Sequence, residues 1–319
     1  MTRRGPSIRP PARNGPVVSV VIATNNRLQL VQRAVRSVLA QDLPGVEAIV
    51  VVDGSDLGTA PALRAIFPDL RILQTPEKNT GPGPARMAGV RTSLATWIAI
   101  LDDDDELLPS ACSDMLRLVA EEPAAVGRCV FQFAHGNGWL ADDFRVLTLE
   151  DYLASRFRGD FVPLLRRQQF LSRGYAYPPL RIGAEGLLWM EVARREGVPT
   201  WRHTVGILHH DAPSRLTTPR NQMRRAAEYA DYQELFLDRY GDDLARIQPK
   251  GYRKRLLAAG TYSAMAGRRA DARRHARRLR QAGFGMAGAV LALVVAAPAL
   301  ARLTFRAYRR MERIAGRPN

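Results

Sequence analysis

The chain has 319 residues, 46% of them hydrophobic, which is enough for a large core and excludes a small stapled module. Its two cysteines, Cys112 and Cys129, lie in apolar surroundings without CxxC or Cys/His spacing, so neither a disulfide framework nor a zinc site is indicated. The net charge of +16 is uneven: residues 1–16 contribute +4, residues 250–319 contribute +15, and residues 17–249 are close to neutral at −3. A nucleic-acid-binding body is therefore not implied; Arg outnumbers Lys 44 to 3, which points to a compositional bias in a basic tail.

Residues 1–16 carry basic residues but no apolar h-region, and they read as a disordered arm with no signal peptide. "VVSVVIAT" (17–24) is a continuous β-branched run, the pattern of a strand buried on both faces. "RLQLVQRAVRSVLAQ" follows with helical spacing of Leu28, Val31, Val35, Val38 and Leu39. "VEAIVVVDGSD" predicts a second strand, "APALRAIF" a helix, "LRILQT" a third strand, "GPARMAGVRTSLA" a helix and "WIAIL" a fourth strand. This alternation predicts a parallel sheet covered by helices, with polar residues ("TNNR", "DGSD", "DDDDE") at the carboxyl ends where ligands bind. A helix over "SACSDMLRLVAEE" and a strand over "GRCVFQFA" come next. From Trp139 to Gly183 the pattern is mixed, and "AEGLLWMEVARREG" (184–197) reads as a helix closed by Gly197.

Beyond residue 217 the pattern is helical: "RRAAEYADYQELFLDRY" is one helix, and "YRKRLLAAGTYSAMAG" with "ADARRHARRLRQAG" reads as an antiparallel pair cored by Ala272, Ala276 and Leu279. Ala282–Ala301 is twenty residues without a charge, the length of a bilayer crossing, but it is rich in Ala and Gly and contains Pro298. Arginine clusters flank it on both sides (Arg273, Arg274, Arg277, Arg278 and Arg280 before; Arg302, Arg306, Arg309, Arg310 and Arg313 after), so a crossing would expose one cluster outside. A helix lying in the interface keeps both on anionic headgroups, and a helix docked on the protein is the remaining alternative.

The acid run Asp102–Glu106 carries the chemistry. In an extended segment Asp102 and Asp104 share one side, and Asp103 and Asp105 the other, where no role is assigned to them. Adjacent carboxylates repel unless a cation or proton is shared, and a hard dication with oxygen ligands, Mg²⁺ or Mn²⁺, is the economical partner. A solvated acidic loop is the alternative.

In order and spacing, "SVVIATNNR", "IVVVDGSD", "NTGPGPARMAGV" and "WIAILDDDDE" resemble glycosyltransferase family 2, inverting enzymes of the GT-A fold. The resemblance covers residues 17 to about 217. It implies an α/β fold of Rossmann-like, mostly parallel sheet flanked by helices, here with a C-terminal helical extension and a membrane-associated helix. It implies that Thr24 and Arg27 lie near the nucleotide, that Asp53 accepts from the base, that Arg86 reaches the nucleotide, and that Asp102 and Asp104 form the DxD pair, the first toward the ribose and the second on the metal. Two departures are visible: Val52-Asp53 stands where the family often has two acids, and Ala184-Glu185 stands where it has a Glu-Asp pair. Glu185 then falls at the catalytic base position, and in "LHHDAPSRLT" His210, with His209 in reserve, matches the histidine that completes the metal shell.

The expected organisation is a basic arm (1–16), a GT-A domain (17–217), a helical extension (218–281), a membrane-spanning or interfacial helix (282–303) and a basic tail (304–319). The expected activity is metal-dependent transfer of a sugar from a nucleotide-diphosphate-sugar, with UDP-sugars favoured, to a glycan or lipid-linked acceptor in envelope or extracellular polysaccharide or glycolipid synthesis. Its expected place is the cytoplasmic face of the membrane, with no nucleic-acid partner. The alternatives are a non-catalytic nucleotide-sugar binder of the same fold and a basic nucleic-acid-binding protein. A dinucleotide enzyme fits poorly, because "GPGPARMAG" follows the third strand and does not match GxGxxG.

Overall fold

A computed structural model describes residues 15–54, 58–75, 80–212 and 218–296, which fall into two compact units dividing at Ala212 and Pro213. The first unit alternates strand and helix as its hydrophobic runs require: β1 (Val18–Thr24), α1 (Leu28–Leu39), β2 (Val46–Val52), α2 (Thr59–Ile66), β3 (Arg71–Gln74), α3 (Pro82–Thr92) and β4 (Trp97–Asp102). It continues with β5 (Glu106–Leu107), α4 (Ala111–Glu121), β6 (Val130–Trp139), β7 (Phe144–Leu147), α5 (Leu149–Leu153), β8 (Arg158–Arg166), α6 (Arg167–Ser172), α7 (Glu185–Arg195) and β9 (Val198–Ile207).

All nine strands join one sheet in the order β3-β2-β1-β4-β8-β6-β9-β5, with β7 paired to β9. The first four are parallel, with Thr24 level with Val52 and Ala23 level with Asp102, so their carboxyl ends share one edge. β8 then runs antiparallel to β4, placing Leu164 opposite Ala99, and the second half of the sheet is mixed. The expected α/β sheet with flanking helices is therefore present; the reversal at β8 is the feature that the sequence pattern did not contain.

Period two sends alternate residues of each strand into different layers. Val18, Val20 and Ile22 pack with Val31, Ala34, Val35 and Val38 of α1 and with Met115 of α4. Val21, Ile49 and Val51 pack with Ala85, Met87 and Val90 of α3 and with Leu188, Trp189 and Val192 of α7. The crossover helices lie on one face after β1 and β2 and on the other after β3, so the topology switches between β1 and β4, where open α/β sheets bind ligands. Both cysteines are buried, and burial pushes each thiol up to about 12, which makes them unreactive structural groups.

The second unit is helical: α8 (Pro219–Arg224), α9 (Ala226–Ile247), α10 (Pro249–Met265), α11 (Arg269–Gln281) and α12 (Gly285–Ala296). Its core holds Leu237, Leu256 and Ala259 together with Ala272, Ala276 and Leu279, the stripe read from the sequence. The expected membrane-spanning helix needs correction: α12 is twelve residues long in the described chain, and no described helix is long and apolar enough to cross a membrane. Residues 297–303 of that expectation, the basic tail 304–319 and most of the arm 1–16 lie outside the described residues.

Candidate active site

The loops after β1, β2 and β4 converge at the carboxyl edge because these strands are parallel neighbours. β4 ends at Asp102, where its extended geometry gives way to a turn in which Asp105 N donates to Asp102 O at 3.3 Å. The turn keeps part of the alternation: Asp103 and Asp105 are buried, while Asp104 is partly exposed and the Asp102 side chain is 54% exposed. It also bends the chain, and Asp102, Asp104 and Asp105 each offer a carboxylate oxygen within 4.8 Å of the other two.

The two buried acids hold the site together. Thr24 Oγ1 donates to Asp103 Oδ2 at 2.7 Å, and Arg27 Nη1 donates to Asp103 Oδ1 at 2.9 Å and reaches Asp104 Oδ2 at 3.5 Å. Thr24 and Arg27, expected near the nucleotide, thus brace the acid turn in this structure. Asp105 Oδ1 accepts from His209 N at 2.9 Å, and its Oδ2 lies 2.9 Å from Nε2 of buried His135. The Nδ1 of His135 is buried without a hydrogen-bond partner, and a Cβ at Gly206 would stand 2.2 Å from it, so only glycine fits opposite this ring. Arg33, on α1, donates to Asp104 O at 2.6 Å and to both oxygens of Asp211, holding that carboxyl down at about 2.

Asp53 is buried, and its carboxylate serves the chain. Oδ1 accepts from Thr80 N (3.0 Å), Thr80 Oγ1 (2.6 Å) and Thr75 Oγ1 (3.1 Å), and Oδ2 accepts from Gly81 N (2.8 Å). Little acceptor capacity remains for a base, since a carboxylate offers about four lone-pair sites. These bonds fix the start of α3, where Gly81 has φ +97° and a Cβ would meet Leu180 O and Arg181 Cα at 2.6 Å.

α3 then delivers Arg86 into the site at 8% exposure. Its guanidinium bridges two acids, with Nη2 hydrogen-bonded to Asp102 Oδ1 and Nη1 3.5 Å from Glu185 Oε2, and it stands 5.5 Å from the centre of the Tyr177 ring. Glu185 is the first residue of α7, in the first turn where an acid suits the helix dipole. Glu185 is 45% exposed by side chain, and its Oε2 has no hydrogen-bond partner. The structure thus brings Asp102, Asp104, Arg86 and Glu185 together.

Neither His209 nor His210 belongs to the metal-capable group. His209 Nε2 lies 2.7 Å from Glu106 Oε1, and His210 is exposed. The third carboxylate of the group is that of Asp105, which the turn after Asp103 brings beside Asp102 and Asp104. Asp105, His135 and Arg33 were not singled out in the sequence; a lone histidine ending the buried run "VFQFAH" was the available signal.

The electrostatics of the acid turn suit a cation. Burial pushes Asp103 up to about 6 despite Arg27 and Thr24. Asp104 is raised by burial and by the charges of Asp102 and Asp105. Asp102 goes the other way: burial opposes ionisation, but Arg86 outweighs it and lowers the carboxyl. Three converging oxygens, with one carboxylate raised by its neighbours, form a donor set suited to a hard dication.

Comparison with known proteins shows the family and the fold. Residues 19–177 match the model of glycosyl transferase family 2, and the chain belongs to that family. It is 42% identical over 113 residues to the succinoglycan biosynthesis protein ExoO of Rhizobium meliloti, covering 35% of this chain and 31% of that protein. It is 27% identical over 193 residues to the GalNAc(5)-diNAcBac-PP-undecaprenol β-1,3-glucosyltransferase of Campylobacter jejuni, covering 57% of this chain and 61% of that one. The chain therefore spans less than two thirds of the length of either relative. In fold it resembles S. aureus TarS 1–349 in complex with UDP-GlcNAc (TM-score 0.56, 14% identity, 92% of this chain and 91% of that one). It also resembles the mannosyltransferase PcManGT of Pyrobaculum calidifontis in complex with GDP-Man and Mn²⁺ (TM-score 0.51, 17% identity, 91% of each chain).

Proposed function

We propose that this chain is an inverting glycosyltransferase that moves a sugar from a nucleotide-diphosphate-sugar, with UDP-sugars favoured, to an acceptor hydroxyl. The observation that carries the reading is the placement of Asp102, Asp104 and Asp105 at the carboxyl edge of β4, with Arg86 linking Asp102 to Glu185. Asp102, Asp104 and Asp105 would hold Mn²⁺ or Mg²⁺, which when bound neutralises charge on the diphosphate leaving group.

Glu185 accepts the proton of the acceptor hydroxyl as that oxygen attacks the anomeric carbon. The new carbon–oxygen bond forms on the face opposite the nucleotide, the bond to the diphosphate breaks, and its electron pair leaves with the nucleotide. Arg86 holds Asp102 and Glu185 in register, so the donor and acceptor sides of the site are fixed by one side chain. Thr24 and Arg27 keep Asp103 and Asp104 from springing apart before the donor arrives. Asp53 anchors α3 and so supports the nucleotide side indirectly.

The acceptor is a lipid-linked glycan or envelope polysaccharide, and the enzyme works at the inner face of the cell membrane. The relatives named for succinoglycan biosynthesis and for transfer to an undecaprenol-linked glycan support this assignment. The test is transfer by Glu185→Gln and Asp104→Ala. Each is expected to lower turnover by roughly 10²–10⁴-fold with the melting profile retained. Normal turnover by Glu185→Gln would remove the base, and chelator-resistant turnover would remove the metal.

A further inference from the structure

The helical unit carries a cationic stripe that the transfer chemistry does not use. Along α11, Arg269, Arg273, Arg277 and Arg280 recur at helical spacing, and all four are exposed. Around the same helix Ala272, His275, Ala276 and Leu279 are buried. The acids nearby are occupied by other cations: Arg274 pairs with Asp271 at 2.6 Å and Glu234 at 2.7 Å, Arg268 pairs with Asp231, and His275 Nε2 lies 2.7 Å from Glu234. None of the four stripe arginines forms an ion pair among the described residues.

An apolar ridge runs beside the stripe. α12 contains no charged residue, and it packs on the edge of α11 that carries Arg280: a Cβ at Gly288 would stand 2.7 Å from Arg280 Cγ and 2.8 Å from Ala276 O. Leu291 anchors the helix by filling the notch at Gly260, where a Cβ would meet its Cδ2 at 2.3 Å. The residues turned outward are Met286, Ala289 and Ala292, with Met286 84% exposed. Guanidinium groups that pair two-pronged with phosphate therefore stand next to side chains with no polar group.

We propose that this face of α11 and α12 docks on an anionic phospholipid bilayer, with Arg269, Arg273, Arg277 and Arg280 on headgroup phosphates and Met286, Ala289 and Ala292 at the headgroup–acyl boundary. The inference rests on the reading that the enzyme works at a membrane, and it assigns that contact to particular residues. Charge complementarity selects a phosphate-bearing surface, and the uncharged ridge favours the bilayer, since duplex DNA offers the arginines phosphates but no apolar layer; a single strand would in addition need stacking aromatics beside the arginines. The stripe holds no aromatic residue.

The experiment is co-sedimentation of the full chain with phosphatidylcholine vesicles, with and without phosphatidylglycerol, over a salt series. The wild type is expected to bind the anionic vesicles, to ignore the neutral ones and to dissociate as salt rises. Reversing all four charges (R269E, R273E, R277E and R280E) is expected to weaken binding by at least about a hundredfold. The milder pair R273Q and R277Q, which guards against misfolding, is expected to weaken it by about tenfold or more. In both variants the thermal shift produced by UDP with Mn²⁺ should equal that of the wild type. Undiminished vesicle binding by the four-site variant, with its UDP shift intact, would overturn this face while leaving the membrane reading standing. Failure of the wild type to bind anionic vesicles would overturn both. Release of wild type from vesicles by duplex DNA at equal phosphate concentration would overturn the bilayer in favour of a nucleic acid.

Discussion

Asp105 owes its place among the three carboxylates to two donors, the backbone of His209 and the ring of His135. Such partners of a metal ligand fix its orientation, and their loss typically weakens metal affinity by about 10–100-fold. His135→Ala is therefore expected to raise the Mn²⁺ dissociation constant by about tenfold, with His135→Gln recovering part of the loss through its amide donor. Titration calorimetry of Mn²⁺ separates this from a general loss of fold, and unchanged affinity in His135→Ala would show that Asp105 needs no support from the ring. Part of the residue scale was legible: "DDDDE" after an apolar strand put the acids at the carboxyl edge of the sheet, and period two separated exposed Asp102 and half-buried Asp104 from buried Asp103 and Asp105, although the turn brings Asp105 back beside the first two. The partners were not legible, because His135 lies thirty residues from Asp105 and they meet where β5 and β6 both pair with β9 at Gly206.

At the scale of elements, α3 shows why a weakly amphipathic segment still docks firmly. Gly89 faces the sheet so closely that a Cβ would stand 2.4 Å from Val21 Cγ1 and 3.2 Å from Val51 Cγ2. Two effects compete in Gly89→Ala. Alanine favours a helix interior over glycine by about 1 kcal/mol, whereas forcing a methyl against stiff, fully buried valines costs roughly 1–3 kcal/mol. Crowding wins, so the variant is expected to unfold at lower urea than the wild type; a higher midpoint would contradict the close docking. The first four strands and their helices were readable because strands buried on both faces are continuous apolar runs. β9 was not, since "VPTWRHTVGI" alternates apolar pairs with exposed Arg202, His203 and Thr204. The antiparallel β4–β8 contact joins residues more than sixty positions apart and leaves no local trace.

For the whole molecule, the sign and distribution of charge separate two tasks. The first unit is nearly neutral and sets Asp102, Asp104 and Asp105 together at one edge, while most of the basic excess lies in residues 250–319. Composition did not imply a nucleic-acid-binding body, and of the uncharged run Ala282–Ala301 the structure describes residues 282–296. Twenty uncharged residues matched a bilayer crossing, whereas the described helix spans Gly285–Ala296 and its packing against Gly260 and Ala276 makes it part of a helical core. The central claim, a metal-dependent nucleotide-sugar site built on Asp102, Asp104 and Asp105, is tested most directly by thermal shift with UDP, dTDP and GDP, each with and without Mn²⁺. A ligand that binds only the native state stabilises it in proportion to RT ln(1 + [L]/Kd). The account predicts that UDP raises the midpoint only when Mn²⁺ is present and that Asp104→Ala abolishes this rise. An equal rise without Mn²⁺, or one retained in Asp104→Ala, would contradict it.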